Sequence, residues 1–139
     1  MLRALLDTIV LIAARRSGTG ASNALLRSSD AGKFAMLASV PLVFEYEAVL
    51  CRAEHLLARR LTRPQVMGFL NDLAGLIDPV KLHYLWRPQL DDVADEMVLE
   101  TAINGTATCI VTFNTRHFEP AVRFGIDVIR PDEAMRRIL

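Results

Sequence analysis

The chain has 139 residues, with 16 basic and 16 acidic side chains and 52% apolar residues. This length and composition predict one globular domain over residues 1–139 with a hydrophobic core, and exclude disorder as the main state. Because the formal net charge is zero, nucleic-acid binding would have to come from local basic patches rather than a global field. The cysteines Cys51 and Cys109 lack the spacing of a zinc site or redox pair, so we expect free thiols in a reducing cytosol.

The first forty residues show two apolar runs that predict strands. Residues 2–6 predict a buried strand, and residues 9–15 predict a short helix after it. Ser22 is the expected N-cap of a second helix, which ends near residue 29. Residues 34–40 then predict another buried strand.

The middle of the chain is predicted to be mainly helical. Pro41 opens a helix over residues 41–59, because apolar residues recur there at helical spacing. Thr62 is the expected N-cap of a further helix that continues to Asp78. Residues 80–85 are a weaker strand candidate.

The last third returns to alternating elements. Asp91 and Asp92 precede a helix over residues 93–104, which Gly105 ends. The clearest strand of the chain covers residues 108–113. It is followed by a shorter strand at 126–129 and a final helix at 131–138.

Strands that alternate with helices, and that are apolar on both faces, indicate an α/β fold with a parallel sheet covered on each side. In such sheets the ligand crevice lies beyond the carboxyl ends of the strands.

The apolar stretch at 2–14 is too short and too often interrupted by charge to span a bilayer. We therefore expect a soluble, cytoplasmic protein with no membrane association.

Two acidic residues are predicted to point toward that crevice from the first half of the chain. Asp7 directly follows the first strand, so its carboxylate should leave the core at the carboxyl edge of the sheet; the alternative is that it only caps the next helix. Glu45 lies at the border of the apolar stripe of the helix at 41–59. It is the acid of that helix aimed nearest the sheet, unless it only favours the helix dipole.

Asp95 supplies a third carboxylate. It lies in the first turn of the helix at 93–104, on the face shared with the apolar residues three, four and seven positions later. Glu96 and Glu100 are expected to turn outward. Just upstream, Asp91 is favoured as the N-cap, whereas the role of Asp92 stays open.

An amide and a hydroxyl follow the clearest strand. Asn114 lies at the carboxyl end of the strand at 108–113, and Thr112 faces the same side of the sheet. Asn114 has an alternative role in simply forming the turn.

The predicted elements thus bring three carboxylates and one amide to one edge of a sheet. Hard oxygen ligands without histidine or cysteine suit Mg²⁺ or Mn²⁺, which relieves the repulsion among the acids and activates water for attack on a phosphodiester. Substrate affinity would then come from basic side chains on the rim. The candidates are Arg15, Arg16, Arg52, Arg59, Arg60, Arg63, Arg87, Arg116 and His117, although most are expected to lie on solvated helix faces.

These motifs resemble the PIN-domain nucleases, particularly the bacterial group of toxin components from toxin–antitoxin systems. The matching segments run in order along nearly the whole chain: LLDTIVLIAA at 5–14, GASNALLR at 20–27, SVPLVFEYEAVLCR at 39–52, LWRPQLDDVADEMVLETAINGTATCIVTFNTRHF at 85–118 and FGIDVIRP at 124–131. The spaced acids and the VTFN segment are moderately specific together.

The resemblance implies a three-layer α/β/α fold with a central parallel sheet of four to five strands. It also implies Mg²⁺- or Mn²⁺-dependent cleavage of RNA, frequent homodimers, and inhibition by a small antitoxin protein. The family's metal ligands fall on Asp7, Glu45 and Asp95, and its fourth site position falls on Asn114. Asp92 matches an additional acid, while Thr8 and Thr112 are expected to support a phosphate or ligand by hydrogen bonding.

The sequence departs from the family pattern at three places. Ile9 stands where Asn or Asp usually follows Asp-Thr, Asn114 replaces an acid, and Val93-Ala94 replaces a more polar pair.

An endoribonuclease in which Asn114 positions the attacking water is the leading hypothesis. The alternative is a catalytically degenerate PIN-like domain that binds RNA or protein. A receiver-type signalling domain is disfavoured, because Lys33 and Lys81 are the only lysines and neither follows a late strand.

Overall fold

The computed structural model describes residues 1–16, 18–52, 61–84, 89–90 and 92–139. Within these residues the chain forms one parallel sheet of five strands in the order β3-β2-β1-β4-β5. The strands are β1 Arg3–Leu6, β2 Ala35–Ala38, β3 Ile77–Pro79, β4 Cys109–Val111 and β5 Asp127–Ile129. The sheet confirms the predicted α/β class.

Helices cover the sheet on both faces. The described helices are α1 Thr8–Arg16, α2 Ala21–Asp30, α3 Val40–Leu50, α4 Arg63–Ala74, α5 Val93–Asn104 and α6 Pro131–Ile138, with a 3₁₀ segment at Thr115–Phe124. Helix α2 packs on α1 and α6, whereas α5 packs on α3 and the 3₁₀ segment. The result is the expected three-layer α/β/α arrangement.

The core lies along the two central strands, where both faces of the sheet are covered. Leu5 and Leu6 of β1 and Ile110 and Val111 of β4 have no exposed surface. Strands that are apolar at consecutive positions are typical of a parallel sheet buried on both sides.

The strand order reverses between β1 and β4. From β1 the chain moves to β2 and β3 on one side, and it then returns to add β4 and β5 on the other. Such a reversal is a topological switch point, where the loops after the two strands separate and leave a crevice. The residues that follow β1 and β4 therefore face one another across this crevice.

Several predicted boundaries are confirmed. Thr62 caps α4 in a reciprocal capping box with Gln65, as the residue types favour. Helix α5 begins after Asp92 and ends at Gly105, and α6 covers the predicted residues.

Other boundaries were wrong. The third strand is Ile77–Pro79 rather than 80–85, since these residues pair with β2, and the preceding helix ends at Ala74 instead of continuing to Asp78. Pro79 is tolerated because it ends an edge strand.

Two helix predictions also need correction. Helix α3 ends at Leu50, so the single helix expected over 41–59 is not continuous; residues 53–59 lie outside the described part. The N-cap of α2 is Gly20, not Ser22, which is buried inside the helix. Asp91, the favoured cap of α5, also lies outside the described residues, and Asp92 accepts the capping hydrogen bond from the Ala94 N–H.

Two glycines provide a matched test of this packing. An added Cβ at Gly105 would lie 2.7 Å from Val80 Cγ2 and 3.0 Å from the Thr101 carbonyl oxygen, whereas one at Gly68 of α4 would meet no atom within 4 Å. We expect Gly105→Ala to lower the free energy of unfolding by about 1–3 kcal/mol through overpacking. Gly68→Ala should raise it by up to about 1 kcal/mol through helix propensity. Urea denaturation measures both, and equal effects would contradict this packing around Gly105.

Candidate active site

The ends of β1 and β4 hold two polar residues side by side at the switch point. The Asp7 N–H donates to the Val111 carbonyl oxygen at 2.9 Å, and the Thr112 N–H donates to the Ile129 carbonyl oxygen at 2.9 Å. These bonds continue the parallel ladder by one residue beyond each strand. Asp7 and Thr112 are thereby fixed at the carboxyl edge of the sheet, as the sequence predicted.

The Asp7 carboxylate is buried and hydrogen-bonded on both oxygens. It is 6% exposed; Oδ1 accepts from the Thr8 N–H and Oδ2 from the Thr112 hydroxyl, both at 2.8 Å. Burial raises the pKa of Asp7, and these two hydrogen bonds oppose that rise. The bond to Thr8 is a local contact at the start of α1, but the bond to Thr112 joins residues from separate strands. Asp7 is therefore more than a helix cap.

Thr112 connects Asp7 to the loop after β4. Its hydroxyl donates to Asp7 and accepts from the Asn114 N–H at 3.0 Å. Thr112 has no exposed surface, so this hydroxyl is held by its two partners. It orients the carboxylate rather than contacting a ligand from solvent.

Tyr46 supports the same strand end from α3. Its hydroxyl donates to the Leu6 carbonyl oxygen, and its side chain is almost fully buried. Burial and the nearby Asp7 charge raise the pKa of Tyr46. The sequence predicts only that Tyr46 belongs to the apolar stripe of the helix at 41–59. The signal it offered was the tyrosine hydroxyl, because a buried tyrosine hydroxyl needs a hydrogen-bond partner.

Asp95 approaches the same site from the first turn of α5. Its side chain is 15% exposed. Burial, the Asp7 charge and the Asp92 charge raise the pKa of Asp95 to about 6, against an opposing effect of His117. The Asp7 charge thus acts on Asp95, while the metal-ligand roles of both acids stay predictions.

His117 contacts Asp95 from the 3₁₀ segment. Its Nδ1 lies 3.4 Å from Asp95 Oδ2, and its side chain is 59% exposed. Asp92, Asp95, Arg116 and His117 contribute to the lining of a cleft of about 650 Å³. His117 had been predicted only as one of several basic rim candidates, because its contact with Asp95 depends on how the two elements pack.

Glu45 and the Asn114 side chain are less closely tied to this cluster. Glu45 is half-buried on α3, and within the described residues it does not join Asp7 and Asp95 in a group arranged to hold a metal. Asn114 is exposed and contributes backbone bonds to Thr112 and His117. Their roles at the site remain predictions.

Glu96 and Glu100 were expected to point outward, and this was wrong. They are 3% and 0% exposed. Glu96 Oε1 accepts from the N–H groups of Gln89 and Leu90, each at 2.7 Å. The segment at 89–90 covers this side of α5, so the helix has no fully solvated face there.

The donor set can be tested against a divalent cation. Within the part of the chain that the structure describes, no group of three or more His, Cys, Asp or Glu side chains is arranged to hold a metal. Mg²⁺, however, is usually held by one or two carboxylates together with waters and substrate phosphates. Asp7 and Asp95 are two carboxylates of this kind, and a bound cation would offset the like charges that, together with burial, raise the pKa of Asp95.

The fold and site together define an α/β protein with paired acids at the switch point of a parallel sheet. A family model described as "PIN domain" matches residues 3–116. The chain therefore belongs to the PIN domain family, whose members are generally nucleases. A search of curated proteins found no match. Among the described helices, none combines the length and apolar character needed to cross a membrane.

The coupled acids predict an unusual pH dependence of stability for the metal-free protein. A pKa raised in the folded state stabilises the fold below the unfolded value near 3.8, and this contribution is lost as the pH rises through about 6. Asp95→Asn should therefore raise the free energy of unfolding at pH 7.5 by about 1–3 kcal/mol. Urea denaturation in EDTA at pH 4, 6 and 7.5 tests this, with the exposed Asp72→Asn as control. A variant that is less stable than the wild type at pH 7.5 would contradict it.

Proposed function

We propose that this protein is a metal-dependent endoribonuclease that hydrolyses phosphodiester bonds in RNA. The observation that carries the proposal is the pair of acids Asp7 and Asp95 at the switch point of a PIN domain, with Asp7 oriented by Thr112. Carboxylates whose pKa is raised by burial and by neighbouring acids, as at Asp7 and Asp95, are typical of functional sites.

Each residue of the site has a definite task in this proposal. Asp7 and Asp95 would hold Mg²⁺ or Mn²⁺, assisted by Glu45. When bound, the cation supplies Lewis-acid activation of the phosphodiester. Thr112 and the Thr8 N–H keep both Asp7 oxygens oriented, His117 positions Asp95, and Asn114 orients the attacking water.

The biological setting of the proposal rests on the sequence resemblance. It comprises a toxin component of a toxin–antitoxin pair, located in the cytoplasm, with a small antitoxin protein as its inhibitor and a homodimer as its assembly. The PIN fold supports the nuclease part directly, whereas the toxin role depends on the matching segments of the family's toxin group.

A degenerate PIN-like domain that binds RNA or protein without cleavage is the second candidate. Ile9, 43% exposed, directly follows the Asp7–Thr8 pair, where the resemblance expects a polar side chain. An apolar surface residue there contributes no hydrogen bond to a cation's water shell or to a phosphate.

Cleavage of single-stranded RNA with Mn²⁺, followed by gel electrophoresis, separates the two candidates. Asp7→Asn and Asp95→Asn should each lower the cleavage rate by at least about 100-fold, because each removes a charge from the cation site. Glu45→Gln should lower it as well, whereas Glu47→Gln, two residues along α3, is the matched control. A wild-type protein that binds RNA but does not cleave it with either Mn²⁺ or Mg²⁺ would establish the degenerate form.

Ile9 offers a gain-of-function test. We expect Ile9→Asn to raise the rate of Mn²⁺-dependent cleavage by about threefold or more, because it returns a hydrogen-bonding group beside the acids. Ile9→Leu keeps the apolar character and should leave the rate unchanged. Equal rates for both variants would show that Ile9 does not limit the site.

A further inference from the structure

An acidic cluster alone repels the RNA backbone, so an RNA-cleaving site needs cations at the same edge of the sheet. Arg15, one of the predicted basic candidates, does not lie there. It lies in the last turn of α1, at the opposite end of the helix from Asp7, with its guanidinium carbon 5.0 Å from the centroid of the Phe69 ring.

One arginine that the sequence analysis did not single out does lie at this edge. Arg130 directly follows β5. Its guanidinium carbon is 5.3 Å from the centroid of the Phe113 ring, and its Nη1 donates to the Phe113 carbonyl oxygen at 3.2 Å. Phe113 stands between Thr112, which orients Asp7, and Asn114. The charge of Arg130 is therefore anchored one residue away from the machinery of the acidic site.

The Arg130 guanidinium also has no carboxylate partner among the described residues. The acids nearest to it in sequence pair with other arginines: Asp132 with Arg136 at 3.5 Å, and Asp127 and Glu133 with Arg137 at 2.9 and 3.3 Å. Among the described residues no carboxylate lies within ion-pair distance of Arg130. An exposed, stacked guanidinium without an acidic partner is suited to a phosphate.

The chemistry of the anchor favours this role. A guanidinium has five N–H donors, and Phe113 engages one of them. Stacking on the ring holds the group in place, so less conformational freedom is lost when it binds a phosphate through two parallel hydrogen bonds. A cavity of about 320 Å³ lies alongside, lined by residues 113–117, including Arg116.

We propose that Arg130, stacked on Phe113, binds a backbone phosphate of the RNA strand next to the phosphate held at the Asp7–Asp95 site, with Arg116, which lines the same cavity as Phe113, as a second contact. This inference rests on the proposed function and names the substrate contact that offsets the acidic cluster. In this arrangement the acids hold the cation, and Arg130, anchored on Phe113, holds the neighbouring phosphate.

The test measures binding apart from catalysis. A fluorescently labelled single-stranded 12-nucleotide RNA is titrated with the metal-free protein in EDTA, so that no strand is cut, at several salt concentrations. Loss of one phosphate contact to single-stranded RNA lowers the slope of log affinity against log salt by about 0.7. Arg130→Ala should show this change, together with roughly 5-fold weaker binding at 0.1 M salt.

Two variants make the result specific. Arg15→Ala removes an arginine stacked in the same way on Phe69, away from the site, and should leave the salt slope unchanged. Arg130→Lys keeps the charge but not the planar fork, so it should keep the slope while part of the affinity is lost. Thermal denaturation of each variant separates these effects from a loss of folding.

The outcomes are distinct. An unchanged slope in Arg130→Ala, or equal losses in Arg130→Ala and Arg15→Ala, would overturn the proposed subsite even if the wild type cleaves RNA with Mn²⁺. A wild type that binds RNA in EDTA through Arg130 but cuts none with Mn²⁺ would keep the subsite and overturn the nuclease function. No RNA binding by the wild type in EDTA would overturn the subsite, and no cleavage with Mn²⁺ in addition would overturn both proposals.

Discussion

The buried hydrogen bond between Thr112 and Asp7 is the interaction on which the site depends. It joins the residues that follow β1 and β4, the two strands between which the order of the sheet reverses. An unpartnered carboxylate at this depth would be costly, and the bonds from Thr112 and Thr8 satisfy both of its oxygens. They also fix its direction, so that a charge at the edge of the core becomes a preorganised ligand.

The site is nevertheless destabilising in the absence of a cation. Burial, followed by the charges of Asp7 and Asp92, raises the pKa of Asp95 to about 6. Like charges held together by a rigid fold lower its stability, and a fold retains such an arrangement when the charges serve a ligand. Asp7 is fixed by the ends of two central strands and Asp95 by the first turn of α5, so the repulsion cannot be relieved by a small movement of a loop.

The sequence predicts the parts of the fold and site that local patterns specify. Asp7 and Thr112 could be placed because each follows a continuous apolar run, and α5 and α6 because the pair Asp91–Asp92, Gly105 and Pro131 are strong boundary signals. The edge strand β3 could not be placed from the sequence. Ile77–Pro79 has neither a continuous apolar run nor alternating apolar and polar residues, and it is defined by its pairing with β2. The burial of Glu96 could not be predicted either, because it depends on Gln89 and Leu90 lying over α5. The contacts His117–Asp95 and Arg130–Phe113 could not be predicted because each joins separate elements of the folded chain.

A net charge of zero hides a local separation of charge at this edge of the sheet. Asp7, Asp92 and Asp95 supply the negative charge, and Arg116 lines the same cleft as Asp92 and Asp95, whereas Arg130 lies against Phe113. A site that holds both a cation and a polyanion needs both signs, yet arginines in direct contact with the acids would pair with them and displace the cation. Stacking on Phe113 avoids this conflict, because the aromatic ring and the Phe113 carbonyl oxygen, rather than a carboxylate, fix the position of the Arg130 charge.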